Sequence, residues 1–284
     1  MKRSKTSTQK PLVGLDKTFG SKRQPRRYFE AVRLDREKVS HFGEYPFSIP
    51  SIQHLTRLEF HPAVTFFIGE NGSGKSTLLE AIAVKAGFSA EGGDKQLQFG
   101  THDTHSPLHD CLTLERSLGR PTDGFFLRAE SFYNVASELE KIEEEVPRPP
   151  HLRFREYGGK SLHRQSHGES FLALLKERLQ GGGVYLFDEP EAALSPQRQL
   201  SVLTLMHRLI LHQSQLIIAT HSPILLAYPR AKIYHFSESG IVETNYADTE
   251  HFQITRDFLN RHDRMLEILM DAEEEDLEKT KWKL

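Results

Sequence analysis

The chain has 284 residues, of which 37% are hydrophobic and 27% charged, enough for one large α/β domain or two small ones. No apolar run approaches the roughly 18 residues that span a bilayer, and the basic N-terminus lacks the apolar stretch of a signal peptide, so membrane insertion and export are not expected. The single cysteine, Cys111, excludes an internal disulfide framework and fits a reducing, cytoplasmic compartment. The formal net charge of −2 gives no global pull towards nucleic acid.

Charge is nonetheless uneven. Before residue 28, nine Lys and Arg residues from Lys2 to Arg27 are opposed only by Asp16. Residues 1–27 therefore read as a basic flexible tail, either solubilising or able to touch phosphate backbones or an acidic partner. Tyr28 to Leu34 and Leu55 to Phe60 look like strands, and prolines at 46, 50 and 62 punctuate the connections. Two strands at this point suggest an antiparallel layer. Tyr45 and Phe47 lie between them, where an aromatic ring can stack on a base but packs more often in a core.

Val64 to Ile68 is a continuous run of β-formers, as in a parallel strand buried on both faces. It leads into Gly69, Glu70, Asn71, Gly72, Ser73, Gly74, Lys75, Ser76 and Thr77, a Gly-x4-Gly-Lys-Ser phosphate-loop pattern. Leu78, Leu79, Ile82 and Val84 then recur at helical spacing before Gly87. A strand, a glycine loop and a helix start aim backbone N–H groups and the helix dipole at one anion. Lys75 can reach the β- and γ-phosphates of a nucleotide, and Ser76 can ligate Mg²⁺.

Residues 88–123 are rich in Gly, His, Asp, Ser and Pro and predict irregular structure over a sheet edge. His102, Asp103, His105, His109 and Cys111 match no metal-ligand spacing, so a polar loop is expected there. Gly124 to Ala129 reads as a strand with Glu130 at its end. Ser131 to Glu145 reads as a helix stopped by Pro147, Pro149 and Pro150. A basic linker over 151–165 enters Ser166-His167-Gly168-Glu169-Ser170, ahead of a helix from Phe171 to Leu179. That helix start is a second anion site in principle, although Ser and Gly there also make an ordinary cap.

After three glycines, Val184 to Phe187 forms a buried strand ending in Asp188-Glu189-Pro190. Ligands of open α/β sheets bind at that carboxyl edge, where Asp188 can hold Mg²⁺ and Glu189 can orient or deprotonate a water. Leu216 to Ala219 repeats the geometry and delivers His221 to the same edge, within reach of a γ-phosphate. Ile233 to Phe236 and Ile241 to Thr244 predict a closing hairpin. From Phe252 onwards the apolar spacing predicts a terminal amphipathic helix packed on its own domain, with a partner-binding face as the alternative.

With these motifs placed, the chain resembles the ATP-binding-cassette (ABC) superfamily, and within it the soluble, stand-alone ATPases near the chromosome-maintenance and DNA-repair members. The resemblance covers about residues 28–250. Gly69 to Thr77 matches its Walker A, Val184 to Glu189 its Walker B and catalytic glutamate, and Ala193-Leu194-Ser195 its D-loop. Thr220-His221 matches its switch histidine and Ser166 to Ser170 its signature. Gln165 and His167 depart from the signature wording, and Ser195 stands where an aspartate is usual. Glu130 falls near the family's Q-loop position and so joins Ser76 and Asp188 as an expected metal-side residue.

The resemblance implies a P-loop fold with a mostly parallel sheet flanked by helices, an antiparallel β layer and a small helical signature part over about 124–180; beyond it, the residues themselves predict a C-terminal helix and acidic tail over 251–284. It implies Mg²⁺-dependent ATP hydrolysis with Lys75, Glu189 and His221 as catalytic residues. It also implies a head-to-tail homodimer in which the partner copy's signature residues, equivalent to Ser166, Gly168 and Glu169, complete the ATP site. An unidentified protein or nucleic-acid partner, a nucleotide-dependent switch and a transporter's cytosolic subunit are the readings of its wider role.

Overall fold

The computed structural model describes residues 25–95, 106–145 and 167–281. Most of the basic tail, the histidines at 102 and 105, and Ser166 lie outside them.

In chain order the strands are β1 (Phe29–Leu34), β2 (Arg57–Glu59) and β3 (Val64–Gly69). Helix α1 (Lys75–Ala86) follows, then β4 (Leu112–Arg116), β5 (Asp123–Arg128) and α2 (Phe132–Glu145). Next come α3 (His167–Arg178), β6 (Gly183–Asp188), α4 (Pro196–Leu211) and β7 (Gln215–Ala219). The chain closes with β8 (Lys232–Ser237), β9 (Gly240–Thr244) and α5 (Glu250–Lys281).

Six strands form one sheet in the order β5-β6-β7-β3-β8-β9, parallel except for the β8–β9 hairpin. Alternate residues of these strands serve two cores. Phe66, Ile68, Phe125, Tyr185, Phe187 and Ile218 point to the face covered by α3 and α4, where Phe171, Leu174, Val202 and Met206 meet them. Phe67, Phe126, Leu186 and Ile217 point to the other face, against Leu78, Leu79 and Ile82 of α1. Both faces are covered, which is why the strands read as unbroken apolar runs. Each large side chain so buried contributes on the order of 2 kcal/mol.

The second sheet, β2-β1-β4, is antiparallel and lies over the α1 face. A buried glutamine joins it to the first. Gln215 accepts from the backbone N–H of Tyr28 (3.0 Å) and Phe29 (2.8 Å) and donates to the carbonyls of Phe29 (2.9 Å) and His61 (3.0 Å). All four hydrogen-bonding positions of the amide are thereby used, so its burial carries no unpaired polar group.

Two expectations need correction. Residues 88–123 are not irregular throughout: Leu112 to Arg116 is a full strand paired with β1, Leu34 opposite Leu112 and Val32 opposite Leu114. Its alternation is short and half-buried, and its partner lies some 80 positions upstream, so local pattern could not reveal it. Within this stretch His109 Nδ1 sits 3.0 Å from the Ser106 carbonyl and Cys111 is buried, consistent with a structural role. The terminal helix does not pack along its domain. Ile254, Leu259, Ile268, Leu269 and Met270 are each more than half exposed, and a non-helical Arg261 (φ −144°) kinks α5 within this span. Among the described residues, no helix is long and apolar enough to cross a membrane.

Candidate nucleotide site

The site is built at the carboxyl edge of the parallel sheet. Register places Arg128 beside Asp188, Asp188 beside Ala219, and Ala219 beside Phe67, so β5, β6, β7 and β3 end almost level. The residues just beyond each strand therefore converge.

After β3 the chain must turn sharply without a side chain in the way. Gly69 has φ of 142°, and a Cβ there would lie 2.3 Å from the Phe236 carbonyl oxygen. Gly74, at φ of 96°, caps α1 in a left-handed conformation against Ser51 and Ile49. Ser51 Oγ in turn donates to the Ser73 carbonyl. The helix ends at Gly87, whose N–H and that of Phe88 return to Val84 and Ala83, closing its last turn.

Lys75 is buried, and its ammonium donates to the carbonyls of Gly69 and Glu70, both at 2.8 Å. Burial pulls its pKa below the ordinary lysine value, against the opposing charges of Glu189, Asp188 and Glu191. The cation is thus parked on its own loop, beside the helix N-terminus where phosphates bind.

Ser76 Oγ donates to Asp188 Oδ1 at 2.8 Å. Burial pushes the Asp188 carboxyl up to about 6, against the Ser76 hydrogen bond and the Arg128 charge, whose Nε lies 3.6 Å away. A buried carboxylate and a hydroxyl in contact are hard oxygen donors of the kind Mg²⁺ takes alongside water and phosphate oxygens. Among the described residues there is no cluster of three or more His, Cys, Asp or Glu that could hold a metal. Glu130 lines the same cavity, of about 350 Å³, although its side chain is 85% exposed and lies 3.8 Å from Arg128.

Glu189 follows Asp188 in a left-handed conformation (φ 48°), its N–H held by the Ala219 carbonyl at 2.9 Å. That turn directs its carboxylate to 3.7 Å from His221 Nε2. Glu191 fixes the histidine loop from below, accepting from the backbone N–H of His221 (2.6 Å) and from Thr220 Oγ1 (2.7 Å). Ser222 caps the short turn Pro223–Leu226 and donates to Gln199 at 2.6 Å. Burial, then the Lys75 charge, holds the His221 pKa below the ordinary histidine value.

The structure thus brings together Gly69 to Ser76, Glu130, Asp188, Glu189 and His221. It also sets the exposed Tyr45 hydroxyl 3.5 Å from Thr77 Oγ1, while Phe47 packs edge-on to Phe42 in the core. The signature stands differently. Ser166 lies outside the described residues, Gly168 is buried against Ala193 and Arg198, and Glu169 is exposed and pairs with Arg198 at 3.3 Å. Neither Gly168 nor Glu169 lines the cavities beside the phosphate loop.

Sequence reasoning missed Arg128, Glu191 and His251 as members of this edge. Arg128 and Glu191 were detectable in principle, each within three residues of a strand end carrying a candidate. His251 had no such signal: it comes from the start of α5, with Nε2 at 3.2 Å from His221 Nδ1.

Comparison with known proteins bears on the same segments. An AAA domain model matches residues 39–146, and a second, "AAA domain, putative AbiEii toxin, Type IV TA system", matches residues 170–227. No curated protein matches the sequence. Similar solved structures include the ADP conformation of an ATP-binding cassette of an ABC transporter, 17% identical over 77% of this chain and 91% of that one, with a TM-score of 0.46. The SMC head domain from Thermotoga maritima is 14% identical over 77% and 98%, with a TM-score of 0.41. The cbiO1 protein of Clostridium perfringens, part of an ABC transporter complex, is 17% identical over 86% and 99%, with a TM-score of 0.41.

The first AAA match contains the phosphate loop and the second contains Asp188, Glu189 and His221. The class so defined is that of the P-loop ATPases. The chain is accordingly an enzyme of that class, one that binds and hydrolyses ATP.

Proposed function

We propose that two copies of this chain close head-to-tail around ATP and Mg²⁺, hydrolyse the γ-phosphate, and use that cycle to act on or with another macromolecule in the cytoplasm. The observation that carries the reading is the convergence of Lys75, Ser76, Asp188, Glu189 and His221 at one sheet edge. In this reading Lys75 leaves the carbonyls of Gly69 and Glu70 for the β- and γ-phosphates, and the N–H groups of the loop and α1 bind the remaining oxygens. Ser76 and Asp188 would hold the metal, with Glu130 at the same cavity, and a Mg²⁺ ion held there would neutralise charge on the phosphates.

Glu189 accepts a proton from the water that attacks the γ-phosphorus. The bond from that phosphorus to the bridging oxygen breaks, and ADP leaves with the electron pair. His221 donates a hydrogen bond from Nε2 to a γ-phosphate oxygen. Tyr45 offers an exposed ring beside Thr77 for the adenine. Ser166, Gly168 and Glu169 of each copy grip the nucleotide held by the other, so that ATP becomes a ligand of the dimer and its loss releases the pair. Residues 28–250 constitute the ATPase domain, with the basic tail before and α5 after. The exposed apolar residues of α5 favour a macromolecular partner over a freestanding enzyme.

Glu189→Gln tests the reading. Turnover is expected to fall about 100-fold or more, while ATP with Mg²⁺ converts the variant to a dimer in light scattering. Hydrolysis at the parental rate would remove Glu189 from its role. A mass that ATP leaves unchanged would remove the dimer.

A further inference from the structure

We infer that His251 is a positioning residue for His221: its Nε2–H donates to His221 Nδ1 and fixes His221 as the Nε2–H tautomer, the form that can hand a hydrogen bond to a γ-phosphate. The inference rests on the ATPase reading of the site.

The two ring nitrogens are 3.2 Å apart, and the rings lie 5.4 Å apart at 46°. One of the two must donate. If His221 Nδ1–H were the donor, its bare Nε2 would face the Glu189 carboxylate at 3.7 Å, lone pair towards negative charge. His251 would then carry its proton on Nδ1, a buried nitrogen that has no hydrogen-bond partner, and a buried donor left unpaired is costly. In either arrangement one buried N–H lacks a hydrogen bond, but the opposite one places it on His221 Nε2, 3.7 Å from the Glu189 carboxylate whose charge favours a donor there, and leaves on His251 a lone pair alone. The second nitrogen of an imidazole takes its role from the bond the first one makes. Burial holds both rings below the ordinary histidine pKa, so at neutral pH each carries a single proton.

The placement of His251 is built in. Thr249 is buried and its hydroxyl donates to the Tyr246 carbonyl (2.7 Å) while accepting from the Phe252 N–H (3.3 Å), which sets the first turn of α5. The Tyr246 ring stacks with Phe252 at 4.7 Å, and its hydroxyl donates to the carbonyl of Pro223, two residues beyond His221 (2.9 Å). The start of α5 is therefore tied to the histidine loop at a second point besides the imidazole contact. Both rings, with Gly69 and Glu70, wall a cavity of about 440 Å³ beside the phosphate loop. The terminal helix thus enters the nucleotide site through one side chain.

The test uses the full chain carrying ¹⁵N-histidine, without nucleotide, with the His221 signals assigned by their loss in His221→Ala. The parental protein is expected to show His221 protonated on Nε2 alone, and His251→Ala to show both tautomers. In the same variant kcat falls about tenfold with the KM for ATP little changed. His251→Gln, whose amide can donate from the Nε2 position, restores the tautomer and most of kcat. Should His251→Ala not fold, His251→Asn serves in its place, since its shorter amide does not reach His221. An unchanged tautomer in the Ala or Asn variant, or a Gln variant as slow as these, overturns the inference. Loss of turnover in His221→Ala with no effect at 251 overturns this inference alone. A His221→Ala enzyme at the parental rate overturns the role given to His221 and this inference with it.

Discussion

The two helix starts that a nucleotide is proposed to bridge are built in opposite ways. The start of α1 is fixed by backbone: Gly69 runs into the Phe236 carbonyl, Gly74 is left-handed, and the buried Lys75 is bound by the carbonyls of its own loop. The start of α3 leans on a neighbouring segment. A Cβ at Gly168 would lie 2.9 Å from the Ala193 carbonyl oxygen and run into the Arg198 side chain, and the exposed Glu169 pairs with Arg198. A loop whose own groups satisfy one another is preorganised for phosphate before any arrives. A helix start that leans on Arg198 and the Pro190–Ala193 turn takes its position from the segment after Glu189, so whatever moves that segment moves α3.

This contrast can be broken most severely at Lys75. Lys75→Ala removes the cation proposed to hold the β- and γ-phosphates, and affinity for ATP is expected to fall about 100-fold, read by calorimetry. An affinity near the parental one would mean that the loop amides alone do the binding. A subtler cut compares glycines. Gly69→Ala meets backbone at 2.3 Å in a conformation that L residues rarely adopt, and is expected to cost roughly 2–4 kcal/mol in urea unfolding. Gly168→Ala meets the Ala193 oxygen at 2.9 Å and the movable end of Arg198, and is expected to cost roughly 1–2 kcal/mol. The reverse order would show that α3, not α1, is the rigid start.

The same division governs what could be read from the sequence. The phosphate loop, the acidic pair after β6 and His221 after β7 were legible because each follows a buried parallel strand immediately, and strand ends of one parallel sheet converge by construction. β4 was not legible, since a five-residue alternating strand carries little signal and its partner is distant. Gln215 gave no sign that it would join two sheets, because a glutamine at a strand start is ordinarily exposed. His251 depends on a contact across 30 residues between two loops whose meeting only the fold decides. The apolar spacing of α5 correctly announced an amphipathic helix. It carried no information on what covers that face, and the expectation that the domain itself does so failed.

The smallest expected effect concerns that face. Leu259 and Leu269 are 70% and 57% exposed, on a helix whose first turn is anchored at Tyr246, Thr249 and His251 and which is kinked at Arg261. Glutamine is nearly as good a helix former as leucine, so Leu259→Gln and Leu269→Gln change little in the helix itself. With no buried contact to lose, each variant should unfold within about 0.5 kcal/mol of the parent. A loss of about 2 kcal/mol, the worth of a buried leucine, would mean that the face is covered in solution. If the loss grew with protein concentration, the cover would be a second copy, because only association makes stability depend on concentration. If it did not, α5 would lie back on its own domain, and the anchoring that places His251 beside His221 would extend along the helix rather than ending at its first turn.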